Sequence, residues 1–219
     1  MKKVLFFMFL ALGLQFHTSN VFAENNLEKS KQVIILGDSI FALSGEISKE
    51  LAQLSSLDIK SYARNGALMK NIVKQYGKAR KNLSARTVIM NGGGNDVLAN
   101  LRECQELSDK CKEAIDEAIE HGYEAVDKME ADGIDNIVYL GYYYTKVLGN
   151  GLNDANDYAM EKIITFCQSI SIDCHVVDTR KRLRMRGYRK LDGIHPTDRA
   201  SRIMAQMIWD TMVKNDIEQ

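Results

Sequence analysis

The chain has 219 residues, and its 29 basic and 29 acidic side chains give it a formal charge of zero. This balance argues against general binding to nucleic acid, which requires a strongly basic surface, but it allows a local basic segment. The length is sufficient for one domain with a substantial hydrophobic core.

The first 23 residues have the pattern of an export signal. Lys2 and Lys3 precede an unbroken apolar run from Val4 to Leu14, and Val21-Phe22-Ala23 resembles a signal-peptidase cleavage site. The run is shorter than the roughly 20 apolar residues that a membrane-spanning helix needs, so a retained membrane anchor is the less favoured alternative. We therefore predict a signal peptide over residues 1–23 and a single domain over residues 24–219, exported by a bacterium to the periplasm or secreted.

Strand-like and helical patterns alternate along the predicted domain. Five short apolar runs predict β-strands: QVIILGDS, LDIKSYARNG, ARTVIMNGGGND, IDNIVYLGYYY and IDCHVVDTR. Apolar residues at helical spacing predict a helix in SGEISKELAQLS and another from Ala114 to Met129, which Gly133 ends. A last helix follows Thr197, a favourable N-cap residue. This alternation predicts an α/β sandwich with a parallel sheet, in which sites form beyond the carboxyl ends of the strands.

The four cysteines form two pairs of identical spacing, Cys104 with Cys111 and Cys167 with Cys174. An exported chain folds in an oxidising compartment, so we expect disulfides, although four cysteines allow three connectivities. Residues seven apart on a straight helix lie about 10.5 Å apart, whereas a disulfide tolerates about 7 Å between Cα atoms. We predict local pairing with a break inside each pair; buried free thiols would be the better interpretation of a cytosolic protein. No C-x2-C motif or histidine cluster indicates a metal site.

Glycines and polar residues follow the first three predicted strands. The first strand ends in Gly37-Asp38-Ser39, the second presents Gly66, and the third ends in Gly93-Gly94-Asn95-Asp96. A serine that leads into a helix lies where backbone N–H groups favour negative charge. Each motif taken alone is equally compatible with a tight turn.

Asp192 and His195 follow the fifth predicted strand, and Pro196 is the single proline of the chain. Proline restricts the preceding residue to extended geometry and donates no backbone hydrogen bond, so His195 is expected in a rigid loop rather than in a helix. We hypothesise that Pro196 orients the imidazole; the alternative is that it merely separates the loop from the last helix.

Two further segments are candidates for binding. Tyr142, Tyr143 and Tyr144 follow the fourth strand, where they could form a wall for an acyl chain or a sugar ring, or belong to the core. Arg180 to Lys190 contains seven basic residues. This segment is either a solvated surface or a site for an anionic substrate or membrane headgroup.

The ordered set GDSI, RNGA, GGND and DGIHPT, which spans residues 37 to 197, resembles the SGNH (GDSL-type) hydrolase superfamily. The DGIHP form is similar to small secreted esterases, thioesterases and lysophospholipases of that group, and isoleucine replaces the leucine of GDSL. The resemblance implies a flavodoxin-like three-layer α/β/α sandwich with a five-stranded parallel sheet.

The resemblance also implies roles for five residues, and it implies no cofactor. Ser39 would be the nucleophile, His195 the base that takes its proton, and Asp192 the group that orients the imidazole. The backbone N–H groups of Ser39 and Gly66 and the side-chain amide of Asn95 would form the oxyanion hole.

The leading hypothesis is therefore a monomeric secreted serine esterase that cleaves carboxylic esters or thioesters of a small molecule, a lipid or a glycan through an acyl-enzyme. One alternative keeps the site but transfers or removes acyl groups on a cell-envelope polysaccharide. Another is a binding protein that retains the fold without catalysis, although such a protein has no need of all five residues.

Overall fold

A computed structural model of the chain describes residues 32–82, 84–146, 151–184 and 187–217. The predicted signal peptide, residues 1–23, lies outside these ranges. None of the helices within the described ranges is long and apolar enough to cross a membrane. The elements in chain order are β1 (Gln32–Leu36), α1 (Ser39–Ala42), α2 (Glu46–Leu54), β2 (Asp58–Ser61), α3 (Met69–Ala79), β3 (Thr87–Met90), α4 (Gly94–Ala99), α5 (Leu101–Cys104), α6 (Asp109–Ala131), β4 (Asn136–Leu140), α7 (Gly151–Ser169), β5 (Asp173–Val177) and α8 (Asp198–Lys214).

The five strands form one parallel sheet in the order β2-β1-β3-β4-β5. The predicted five-stranded parallel sheet and its α/β class are confirmed. The chain runs from β1 outward to β2 and then returns to place β3 on the other side of β1. This reversal of strand order opens a crevice between the carboxyl ends of β1 and β3, where ligands bind in open α/β sheets.

The sheet is covered on both faces because its central strands are apolar on both sides. In β1, Ile34 and Leu36 pack with α3, α6 and α7, whereas Val33 and Ile35 pack with α2 and α8. A third, smaller apolar cluster joins α5, the first turns of α6 and the beginning of α7. The three layers therefore share the sheet as a common core, and the small cluster lies beside it.

The boundaries of several elements differ from the sequence patterns. The second apolar run is an edge strand, and Asp58, Lys60 and Ser61 are exposed on it. Helix α3 was not predicted, and α7 begins at Gly151, where glycine and asparagine favour a turn. By contrast, Thr197 caps α8 as predicted and accepts a hydrogen bond from the Ala200 N–H.

Both predicted disulfides are present, Cys104–Cys111 and Cys167–Cys174, with Cα separations of 4.9 and 5.0 Å. The expected breaks explain how residues seven apart approach so closely. Helix α5 ends at Cys104 and α6 begins at Asp109, while the second bridge joins α7 to β5. The first bridge therefore closes the small apolar cluster, and the second ties α7 to the edge of the sheet.

Candidate active site

Ser39 lies at the carboxyl end of β1, on the first turn of α1. The Asp38 carboxylate caps this short helix by accepting from the Ile40 N–H. Gly37 is needed beside it, because a Cβ at this position would lie 1.9 Å from the Asn91 side-chain oxygen. The turn therefore directs the Ser39 hydroxyl out of the sheet into the crevice.

Asp192 and His195 lie on a short antiparallel hairpin that precedes α8. Arg189 and Pro196 form its bridge, flanked by hydrogen bonds from Lys190 N to His195 O (2.8 Å) and from Thr197 N to Tyr188 O (3.0 Å). Pro196 lies between these two bonds, at a position where the hairpin needs no N–H donor, so the lack of an N–H group in proline removes no hydrogen bond. The loop placement expected from Pro196 is observed.

The hairpin brings His195 to Ser39 across 156 positions of sequence. His195 Nε2 lies 2.9 Å from Ser39 Oγ, and Nδ1 lies 2.7 Å from an Asp192 oxygen. The other Asp192 oxygen accepts from the backbone N–H groups of Ile194 and His195, both at 2.9 Å. Because a carboxylate can only accept, it favours the tautomer with the proton on Nδ1 and leaves Nε2 free to accept from the serine.

The pKa of Asp192 reflects this arrangement. Partial burial raises it, but the hydrogen bonds from the His195 ring and from the two backbone N–H groups outweigh burial and lower the pKa from 3.8 to about 2. Asp192 is therefore a carboxylate throughout the neutral range, as a group that stabilises an imidazolium must be.

Gly66 and Asn95 lie on the opposite rim of the same crevice. Gly66 has a φ of +70°, a left-handed conformation that favours glycine. Within the described ranges, the backbone N–H groups of Ser39 and Gly66 donate to no other residue. The Asn95 amide nitrogen donates to Ala67 O at 3.0 Å and, over a longer 3.3 Å, to Asp38. All three groups line the cavity described below.

A buried polar network lies directly beneath the serine, and the sequence patterns did not reveal it. The Asp38 side chain accepts from Ile40 N, Asn91, Asn95 and Tyr142. In addition, the Gln75 amide of α3 pairs with both the N–H and the C=O of Gly37 at 2.8 Å. Polar residues at strand ends are the signal for Asn91, but Gln75 lies in a helix whose face could be identified only after the fold was known.

A cavity of about 340 Å³ opens beside Ser39 and His195. This volume lies at the lower end of the range for small-molecule sites. Its lining is mostly apolar and includes five aliphatic side chains of α4 and α7, Val97, Leu98, Leu152, Ala159 and Ile163. Thr145 and Asn156 are among its polar lining residues. A second, much smaller cavity of about 20 Å³ adjoins the first and shares Val97, Ala159 and Ile163 with it.

The three tyrosines that follow β4 point in different directions. Tyr142 and Tyr143 line the cavity, where Tyr142 donates to Asp38 at 2.7 Å and Tyr143 donates to Ile194 O. Tyr144 does not line it, and its hydroxyl donates to Asp157 at 2.8 Å. Of the three tyrosines expected to form a substrate wall, Tyr142 and Tyr143 are therefore placed to do so.

The basic segment is only partly free to bind a ligand. Arg180 forms ion pairs with Asp157 (2.6 Å) and Asp178 (2.8 Å), and Arg189 donates to the Tyr144 carbonyl. The exposed cations of the segment within the described ranges are Lys181, Arg182 and Arg184. Residues 185 and 186 lie outside the described ranges.

No group of three or more histidine, cysteine or acidic side chains is arranged to hold a metal ion in the part of the chain that the structure describes.

Comparison with known proteins adds a family match and a set of structural neighbours. A sequence profile of the GDSL-like lipase/acylhydrolase family matches residues 33–208. None of the curated protein sequences matches the chain significantly.

Several solved structures share the fold at low sequence identity. A lipase from a goat rumen metagenome superposes with a TM-score of 0.66 at 16% identity, covering 82% of this chain and 96% of that one. A member of the lipolytic protein G-D-S-L family from Veillonella parvula gives 0.67 at 14% identity, covering 84% and 98%. A psychrotrophic esterase from a Pseudoalteromonas species, solved with monoethylphosphonate as inhibitor, gives 0.64 at 13% identity, covering 84% and 98%.

Proposed function

The chain belongs to the GDSL-like lipase/acylhydrolase family and is an ester-hydrolysing enzyme, and from this premise we propose that Ser39, His195 and Asp192 are its catalytic triad. The observation that carries the proposal is the pair of hydrogen bonds that runs from Asp192 through His195 to Ser39, at 2.7 and 2.9 Å, on the wall of an apolar cavity.

The first chemical step is attack on the ester carbonyl. Ser39 Oγ forms a bond to the carbonyl carbon while its proton passes to His195 Nε2, and the carbonyl π electrons move to the oxygen. Asp192 stabilises the imidazolium through its bond to Nδ1. Collapse of the tetrahedral intermediate breaks the bond to the leaving group, which takes the proton from Nε2, and an acyl-enzyme remains. Water then repeats the sequence to release the acid and regenerate Ser39.

The oxyanion of each tetrahedral intermediate would be held by the backbone N–H groups of Ser39 and Gly66 and by the Asn95 amide. Among the described residues the two backbone donors have no other partner. One hydrogen of the Asn95 amide is donated to Ala67 O at 3.0 Å, and for the other hydrogen the long contact to Asp38 at 3.3 Å is a weak competitor. Loss of one such donor costs about 2.7–4 kcal/mol of transition-state stabilisation in a comparable hydrolase.

We propose that the acyl part of the substrate is a hydrocarbon chain, bound as an ester or thioester. The lining is mostly apolar, with aliphatic side chains of α4 and α7 and few polar groups such as Thr145 and Asn156, so it suits a hydrocarbon chain better than a sugar, whose many hydroxyl groups each need a partner. Buried apolar surface stabilises an acyl chain by about 0.8 kcal/mol per methylene, so longer chains should react faster until the cavity is filled.

We further propose that the protein is exported after removal of residues 1–23. Two disulfides within one small domain are typical of proteins that fold in an oxidising compartment. N-terminal sequencing of the protein recovered from the periplasm and from the medium tests the proposal: a chain that begins at Met1 and stays in the cytosol contradicts it.

The exposed cations Lys181, Arg182 and Arg184 would attract an anionic substrate or surface, and the bridge between Arg189 and Pro196 connects their segment to the His195 hairpin. Replacing Lys181 and Arg182 with glutamine should raise the Michaelis constant for an anionic ester and leave that for a neutral ester unchanged. The matched control removes the exposed charges of Lys74 and Lys78 on α3. Two results would exclude this surface as a binding site for anions. One is an equal effect of the two double substitutions, and the other is a Michaelis constant for the anionic ester that does not depend on the salt concentration.

The deciding experiment for the triad compares p-nitrophenyl esters of increasing acyl length as substrates of the wild type, Ser39→Ala and His195→Ala. We expect both substitutions to lower kcat by at least about a thousandfold at nearly unchanged stability. Full activity of Ser39→Ala would overturn the mechanism. Partition of the acyl group between water and an added alcohol would identify a transferase.

A further inference from the structure

Tyr142 is a partly buried residue that the mechanism above does not use. It lies just beyond β4, and its hydroxyl reaches Asp38 at the end of β1 and Asn91 at the end of β3. Its ring packs so closely on α4 that a Cβ at Gly94 would lie 2.7 Å from it. The carboxyl ends of three neighbouring strands are therefore joined through one phenol directly beneath the nucleophile.

Asp38 competes for one of the donors that the oxyanion would use. Its side chain is 2% exposed, so each carboxylate oxygen requires donors from the protein. One oxygen accepts from Ile40 N and Asn91, both at 2.9 Å. The other accepts from Tyr142 at 2.7 Å and from Asn95 at 3.3 Å. The strong phenol bond satisfies the oxygen that would otherwise draw the Asn95 amide toward Asp38.

We propose that Tyr142 is a positioning residue, which satisfies the Asp38 carboxylate and thereby leaves the Asn95 amide hydrogen that is not donated to Ala67 O available to the oxyanion. The proposal rests on the proposed function, because it concerns the same oxyanion hole. Burial also raises the pKa of Tyr142 well above its ordinary value, so the phenol remains a donor at every pH at which the enzyme works.

The test is Tyr142→Phe, which keeps the ring against Gly94 and removes only the hydroxyl. Asn95 should then shorten its bond to Asp38 and donate less well to the oxyanion. We expect kcat to fall about tenfold with little change in KM, against the roughly 10²–10³-fold loss that follows complete removal of an oxyanion donor. Inactivation by an alkyl p-nitrophenyl phosphonate, whose phosphoryl oxygen occupies the same position, should slow by the same factor.

Tyr76→Phe is the matched control. Tyr76 likewise donates to an aspartate, Asp132, at 2.8 Å, but it is fully buried and lies toward the amino ends of the strands. It loses the same chemical group in the same kind of bond, so a general effect of removing a buried hydroxyl should appear in both variants. Equal losses of kcat in the two variants would contradict the proposal.

A double-substitution cycle with Asn95→Ala separates positioning from packing. If Tyr142 acts through Asn95, then Tyr142→Phe should change kcat less than about twofold once Asn95 has been replaced. A second full tenfold loss in that background would overturn the proposal. Should Tyr142→Phe fail to fold, Tyr142→Met runs the same cycle, since its flexible side chain can fill the space without a hydroxyl.

The outcomes also separate this proposal from the proposed function. A wild-type enzyme that is inactive toward all esters would refute the function. An active wild type whose kcat is unchanged by Tyr142→Phe would refute the positioning role alone.

Discussion

Replacing Ala159 with leucine tests whether the cavity between α4 and α7 receives the acyl chain. Ala159 lies on α7 at the junction of the two cavities and belongs to the walls of both. It is half-buried: it packs against the small apolar cluster of α5, α6 and α7 and also lines this space. A leucine would therefore extend into the cavity with little disturbance of the core.

The size of the effect follows from the space that the larger side chain fills. Leucine carries three more carbon atoms than alanine, so it should displace about three methylene groups at the end of a long acyl chain. At about 0.8 kcal/mol per buried methylene, this costs about 2.4 kcal/mol, or roughly 50-fold in kcat/KM. A chain too short to reach α7 should lose nothing.

The assay compares kcat/KM for p-nitrophenyl acetate, butyrate, octanoate and laurate. We expect Ala159→Leu to keep its activity toward acetate within about twofold and to lose roughly 50-fold toward octanoate, so the preferred length becomes shorter. Gln168→Leu, which adds the same side chain on an exposed part of α7, is the control. An unchanged length profile of Ala159→Leu would show that the chain lies elsewhere, and a uniform loss toward all esters would indicate damage to the site.

Three other predictions concern the loop, its carboxylate and the cavity wall. Pro196→Ala should lower kcat/KM about tenfold through misplacement of His195 and cost at most about 1 kcal/mol of stability; unchanged turnover would refute the orienting role. Hydrogen bonds lower the pKa of Asp192 to about 2, from an ordinary value of 3.8. The Asp192 carboxylate therefore adds to the free energy of unfolding above pH 3.8, and this contribution is lost as the pH falls toward 2. The melting temperature of wild type should thus exceed that of Asp192→Asn at about pH 6 and approach it at about pH 2.5, and a constant difference would contradict this. Replacing Cys104 and Cys111 with alanine should cost about 2.5 kcal/mol of unfolding free energy and lower the melting temperature by about 5–10 °C. Activity should be lost first toward esters with long acyl chains. An equal loss of activity toward the acetate ester would argue against a role of this disulfide in the cavity wall.

The strands and the Ser39 and His195 segments could be predicted because each depends on local sequence. Buried parallel strands are short apolar runs, and the polar residues after them mark the edge where sites form. Helix α3 could have been found in the same way, since Met69, Ile72, Val73 and Tyr76 recur at helical spacing and are buried. The beginning of α7 could not be found in this way. The glycine and asparagine among its first residues favour a loop when tertiary contacts are not considered.

The residues that support Ser39 could not be predicted from the sequence for a different reason. Gln75 pairs with the backbone of Gly37, 38 positions away, and this contact exists only after α3 has packed on the sheet. The directions of the three tyrosines likewise depend on how the chain leaves β4. A pattern can therefore suggest a nucleophile and its base, as it does for Ser39 and His195, but the groups that hold these residues become visible only with the fold.

The proposed catalytic residues and the cavity proposed to bind the acyl chain are built on different parts of the structure, and this separation bears on how specificity can change. Ser39, Asn95 and the network around Asp38 rest on the ends of β1, β3 and β4, which share the central core. The far wall of the cavity instead rests on the small apolar cluster of α5, α6 and α7 that Cys104–Cys111 closes. Substitutions in that cluster, such as those on α7, should therefore alter chain-length preference with little effect on the rate of acetate hydrolysis. The effects of substitutions at two sites that share no partners add almost completely when they are combined. Combining Ala159→Leu with Tyr142→Phe tests this directly: additive effects on log kcat/KM would support two independent units, and strong coupling would show that the cavity wall also positions the oxyanion hole.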